Sequence, residues 1–255
     1  MTLTTRGWAI LLIIMVAALW RGPALAGRET PAAQKPFEQG VAALAQGNPT
    51  QAAAKFTEAL KLNPEMVEAY INRGIAEMRL ALWADAVGDF DKALDLAPNS
   101  PEALYNRGLA YSRQGILDKA LADYTQALKF APEDWQIYYN RGNTYLDLNQ
   151  PQAALKDYHQ ALKLHPRTPE ILYNRSLAYL ALKNPEEALA NADQVIALNP
   201  LYARAYFSKA RALEQLGNKY EALAAYRHFL KTGNPGQDAA LLQQALARLK
   251  TLEGK

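Results

Sequence analysis

Residues 138–166 read YYNRGNTYLDLNQPQAALKDYHQALKLHP, and the skeleton of this stretch returns every 34 residues along the chain. Its fixed points are Tyr138, Asn140-Arg141-Gly142, Tyr145, Ala154, Tyr158, Ala161 and a closing Pro166. Asn72-Arg73-Gly74, Asn106-Arg107-Gly108 and Asn174-Arg175-Ser176 fall on the same register. A fixed period of this length marks a stack of repeated supersecondary units.

Let position 8 of each repeat be the residue after the Asn-Arg pair. It is Gly40, Gly74, Gly108, Gly142, Ser176 and Ala210, all small. Position 20 is alanine in every repeat: Ala52, Ala86, Ala120, Ala154, Ala188 and Ala222. Position 24 is Phe56, Phe90, Tyr124, Tyr158, Ala192 and Tyr226, and position 32 is Pro64, Pro98, Pro132, Pro166 and Pro200, slipping by one to Pro235 in the sixth repeat. Each unit predicts two helices of about fourteen residues joined by a short turn. At about 100° per residue, positions 4, 8 and 11 lie on one stripe of the first helix, large, small and large. The small residue admits the second helix closely, Ala154 offers the matching flat spot, and Tyr158 fills the space between. Gly47-Asn48-Pro49, Asn149-Gln150-Pro151 and Lys183-Asn184-Pro185 set a proline in the first turn of the second helix, where its missing N–H costs nothing.

These residues resemble the tetratricopeptide repeat, whose aromatic, Gly, Tyr, Ala, aromatic and Pro pattern is matched from about Ala33 to Asn234. The resemblance implies an all-α fold: a right-handed α-solenoid of six helical hairpins over residues 36–236. Residues 237–255 add a capping helix and tail, with Leu242, Ala245, Leu249 and Leu252 as its apolar stripe. Three departures stand out. Position 7, usually leucine in the family, is Arg73, Arg107, Arg141 and Arg175. Glu77 replaces the aromatic at position 11 of the second repeat. The fifth and sixth repeats are looser, with Ala192 for the aromatic and Phe229 where others have alanine.

The chain has 255 residues, half of them hydrophobic, 21% charged, and no cysteine. Disulfides, zinc–cysteine sites and cysteine nucleophiles are thereby excluded. Residues 1–26 predict a secretory signal: Arg6, an apolar run from Trp8 to Trp20, the breaker Arg21-Gly22-Pro23, and Ala24-Leu25-Ala26 as the cleavage pattern. An uncleaved N-terminal anchor is the alternative, and in that case these residues alone would touch the membrane. Residues 27–35 are expected to form a flexible lead-in, and Pro36 to shorten the first helix. Of the formal charge of +3, Arg6 and Arg21 account for two, so the remainder carries +1 and does not favour a nucleic-acid binder.

The resemblance places the concave surface on the first-helix face opposite the core, at positions 2 and 9 flanked by 5 and 6. Position 6 carries Asn72, Asn106, Asn140 and Asn174; position 5 carries Tyr105, Tyr139, Tyr173 and Phe207. An asparagine amide matches both groups of a peptide bond, and family members that hold peptides often use asparagine here. Helices stacked about 8–10 Å apart put four such amides over roughly 30 Å. That accommodates about nine residues of extended peptide. The tyrosines would add flat apolar contacts. The same residues also suit a structural part, with the amides bonding neighbouring helices. The arginine column is expected to be a salt-bridged flank, an acidic-partner site being the lesser reading. His159, His165 and His228 fall in no metal spacing, and no phosphate loop or nucleophile elbow is present. No enzyme activity and no cofactor are expected. The expectation is an exported scaffold for a protein or peptide partner in a bacterial periplasm or equivalent lumen, serving assembly of an envelope or membrane complex. The alternative is a self-assembling repeat protein, a homo-oligomer.

Overall fold

A computed structural model describes residues 31–254, and among them there are thirteen α-helices and no strand. They are α1 (Pro31–Ala45), α2 (Pro49–Leu62), α3 (Val67–Arg79), α4 (Trp83–Leu96), α5 (Pro101–Arg113), α6 (Leu117–Phe130), α7 (Trp135–Asp147), α8 (Pro151–Leu164), α9 (Pro169–Ala181), α10 (Pro185–Leu198), α11 (Ala203–Gln215), α12 (Lys219–Thr232) and α13 (Ala239–Glu253). The expected leader, residues 1–26, lies outside the described residues. Residues 31–35 differ from the flexible lead-in expected of them, because α1 starts at Pro31. Pro36 sits buried inside α1 and does not shorten it. This near the N-terminal end a proline forfeits few ladder bonds.

The described residues divide into two compact units, 31–140 and 141–254, the division falling inside α7. In the first unit α1 packs on α2, α3 on α4 and α5 on α6, while α2 and α4 also pack on the next first helix. The second unit repeats the scheme, with α9 on α10, α11 on α12, and α8, α10 and α12 each on the following helix. These are the antiparallel hairpins that the 34-residue period predicts.

The seam of small residues is buried as the pattern requires. All six alanines at position 20 have no exposed surface, nor do Phe56, Phe90, Tyr124, Tyr158 and Tyr226 at position 24. The glycines at position 8 face those rings. A Cβ on Gly40, Gly74, Gly108 or Gly142 would lie 2.6–2.8 Å from a ring carbon of Phe56, Phe90, Tyr124 or Tyr158 respectively. Glycine is there because a ring occupies the space of its missing side chain. In the fifth repeat both partners change together: Ser176 replaces the glycine and Ala192 the ring, and both remain fully buried.

Between the helices of each hairpin, position 15 takes a left-handed conformation in every repeat, φ running from 55° to 79° at Gly47, Ala81, Gly115, Asn149, Lys183 and Gly217. The next N–H then bonds back five residues, as Ile116 does to the Tyr111 carbonyl at 2.9 Å, which closes the first helix in a Schellman turn. At the C-terminal end Ala245 of α13 is fully buried, and Leu241, Leu242, Leu249 and Leu252 pack on the core shared by α11 and α12. Arg204 anchors the start of this cap through Asp238, Nε to Oδ1 at 2.5 Å.

Candidate binding faces on the first helices

The asparagine column has two characters. In the first unit, Asn72, Asn106 and Asn140 each donate from Nδ2 to the carbonyl one turn back, on Glu68, Glu102 and Gln136, at 2.8–2.9 Å. That tether orients each amide. Among the described residues the Oδ1 atoms of Asn72 and Asn106 accept no hydrogen bond, and neither is a buried unpaired atom. Asn140 Nδ2 also donates to the Tyr105 hydroxyl at 3.0 Å, joining α7 to α5. In the second unit Asn174 donates to Oδ1 of Asn143 at 2.9 Å, and the Tyr158 hydroxyl donates to the same oxygen at 2.8 Å. Asn143 is buried, and its Nδ2 has no hydrogen-bond partner. Its signal in the sequence was a break in position 9, apolar at Val41, Ile75, Leu109 and Leu177.

Position 5 faces the core more than the open surface. Tyr173 and Phe207 are buried, the latter against Tyr226 and Phe229 with ring centroids 5.9 and 5.3 Å apart. Tyr105 packs on Tyr124 at 6.1 Å, and burial pushes its phenol well above the usual range. Tyr139 is half-buried. The reason is that a first helix packs on two second helices, its own and the one before it. Its apolar face is therefore wider than one hairpin needs, and it takes in position 5.

The acids at position 2 border the same surface. Burial, with Glu68 beside it, pushes the Glu102 carboxyl up. Among the described residues no cluster of His, Cys, Asp and Glu has the makings of a metal site.

The arginine column is a salt-bridged ladder. Arg73, Arg107 and Arg141 each grip an aspartate sixteen residues ahead, on the second helix of the same hairpin, with two N–H···O bonds. The pairs are Arg73–Asp89 at 2.7 and 2.6 Å, Arg107–Asp123 at 2.8 and 2.7 Å, and Arg141–Asp157 at 2.7 and 2.8 Å. The three aspartates are buried. Arg73 also reaches sixteen residues back to Thr57 at 3.0 Å, and Arg107 to Asp91 at 2.6 Å. Each of these ties its hairpin to the one before. The forked guanidinium matches a carboxylate in plane, and lysine would not. The aspartate column at position 23 was legible beside the arginines, since its sixteen-residue offset recurs in three repeats.

Glu77, the odd residue at position 11, lies next to this ladder. Its carboxyl is pushed up to about 7, first by burial, then by Asp89, with Arg73 acting the other way. Its Oε2 is buried and has no partner. The folded chain thus holds this proton above pH 4.5, where the unfolded chain has released it, so stability falls as pH rises from about 4.5 to about 7. Glu77→Gln is expected to flatten that slope and to add about 1 kcal/mol at pH 8, a figure reduced for solvent screening at a half-buried group. Urea midpoints of both proteins from pH 4 to 8 measure this, and parallel profiles would refute it.

A tetratricopeptide repeat family model matches residues 37–101, 139–192 and 177–239, and a second model of the same repeat matches 101–134. The chain belongs to the tetratricopeptide repeat family. No curated protein sequence matches it. Among solved structures, this TPR chain is similar to the pilF protein of Pseudomonas aeruginosa, at 20% identity and a TM-score of 0.73, over 86% of this chain and 98% of that one. It is also similar to YrrB, described as a TPR protein with an unusual peptide-binding site, at 25% identity and a TM-score of 0.66, over 78% and 100%. A TPR protein from Parabacteroides merdae matches at 19% identity and 0.69, over 88% and 93%. TPR folds of this kind serve as protein–protein interaction scaffolds.

Proposed function

We propose that this TPR protein is a non-enzymatic scaffold that holds an extended segment of a partner protein against the first helices of its 31–140 unit. The Oδ1 atoms of Asn72 and Asn106, without an internal donor while their amides are tethered through Nδ2, carry this reading. They are placed to accept main-chain N–H groups, and Tyr105 and Tyr139 add apolar edges beside them. The peptide-binding site ascribed to YrrB, a chain similar over most of this one, supports it. Asn174 with Tyr173 and Phe207 forms the matching register in the other unit. The buried rings there support the helix, and the Asn174 amide is bonded to Asn143.

A peptide selected on the folded chain from a displayed random library tests the reading. In the variant carrying alanine at Asn72, Asn106, Asn140 and Asn174, affinity for that peptide is expected to fall at least about tenfold, or roughly 1.4 kcal/mol. Unchanged affinity in a folded variant would end the proposal. We further propose that residues 1–26 direct export to a bacterial envelope compartment, where the scaffold serves assembly of an envelope or membrane complex. N-terminal sequencing of chain recovered from the periplasm checks this: a start at or near Gly27 supports it, and an intact Met1 in the cytoplasm contradicts it.

A further inference from the structure

The arginine ladder changes at its fourth rung. In the third repeat, Arg107 has a carboxylate on each side, Asp123 ahead and Asp91 behind. In the fifth repeat the residues at those two places are Asn191 and His159. Asn191 offers only one oxygen, which accepts from Arg175 Nε at 2.7 Å, and its Nδ2 is committed to the Glu187 carbonyl at 2.7 Å. His159 turns its Nδ1 to the Leu155 carbonyl of its own helix at 2.7 Å. The nearby acids are engaged elsewhere, Asp157 with Arg141 and Asp193 with Lys209. The Glu187 carboxylate is exposed and makes no bond to Arg175. Arg175 is thus half-buried with one of its five N–H groups bonded and no carboxylate partner. Burial lowers its affinity for its own proton, which marks a cation without an opposing charge.

We infer that Arg175 is an oxyanion port on the flank formed by α9 and α10, built to take a carboxylate or phosphate group from a partner. In the earlier repeats Nε and Nη2 close on the aspartate ahead, and in the third repeat Nη1 takes Asp91 behind; on Arg175 Asn191 takes Nε alone, which leaves Nη1 and Nη2 as the donor pair. The third repeat shows the Nη side in use, for Arg107 Nη1 there takes the half-exposed Asp91 carboxylate, a place that His159 leaves without an acid beside Arg175. An external group therefore meets a preformed donor pair. This surface is separate from the asparagine face and does not rest on the reading given above.

Arginine side-chain Nε–H resonances, followed in the full chain during titration with inorganic phosphate and separately with sodium acetate at constant ionic strength, test the port. The Arg175 signal is expected to shift saturably while those of Arg73, Arg107 and Arg141 stay in place. Response to both anions identifies a carboxylate-type port, and response to phosphate alone identifies a phosphate port. In Asn191→Asp, which supplies the missing internal acceptor, the response is expected to weaken at least about tenfold while the melting temperature rises. Absence of a saturable shift, or an undiminished shift in Asn191→Asp, overturns the inference. The variant with four asparagines changed to alanine serves as the independent control and should leave the Arg175 titration unaltered.

Discussion

Tyr124→Ala should lower unfolding stability by about 3–5 kcal/mol, the range for deleting a large ring from a closed core. Tyr124 has no exposed surface, and it fills the space between Ala120, Ala127, Leu104 and the flat backbone at Gly108. Gly108→Ala attacks the same contact from the other side. Its new Cβ would meet the ring at 2.8 Å, which forces ring or helix to shift at a cost of about 1–3 kcal/mol. The informative protein is the double variant. If ring and glycine act as one device, the added methyl partly fills the void left by the ring, and the two losses will be distinctly less than additive. The chain contains its own precedent, for Ser176 and Ala192 hold the same two places in the fifth repeat with the ring removed and the small residue enlarged. Urea unfolding of the four proteins gives the coupling, and strict additivity would show that glycine serves some other purpose there.

Much of this arrangement was legible in the sequence because it is periodic. Position 20 never departs from alanine, position 8 stays small, and the prolines bracket each hairpin, so helix count, pairing and the cap followed from a single register. What escaped depended on neighbours. On a single helix the angle of position 5 puts it beside the open face, yet Phe207 and Tyr173 are core residues because each first helix is clamped between two others. The asparagines keep their place on the first helices, but their tethers to Glu68, Glu102 and Gln136 could not be seen in a helical wheel. Asn143 was hidden in a different way. Its burial and its bond to Tyr158 exist only once α7 and α8 have closed on each other, and one repeat out of six carries it.

The second large effect concerns a rung of the ladder. Asp157→Ala should destabilise the chain by about 3–5 kcal/mol, because it leaves the Arg141 guanidinium without its buried counter-charge. The size of that loss does not measure what the pair contributes. Burial raises the Asp157 pKa by more than the hydrogen bonds and charge of Arg141 lower it. Ionising this carboxylate is therefore harder in the fold than in the unfolded chain, and stability slips as pH climbs from about 3.8 to the raised value. A pair with that sign is an expensive way to hold two helices together. Arg141→Leu/Asp157→Leu, which removes both charges and places at position 7 the leucine usual in the family, is accordingly expected to recover most of the loss and to lack this acid-range slope. What the charged pair supplies in return is register. Two parallel N–H···O bonds fix the first helix against the second at one sliding position and one rotation, whereas leucines pack acceptably at several. The double variant should thus match the wild type in urea midpoint while protecting its α7 and α8 amides less well against hydrogen exchange. If the double variant is as unstable as Asp157→Ala, the charges are themselves the source of stability, and the ladder holds the hairpins together by attraction.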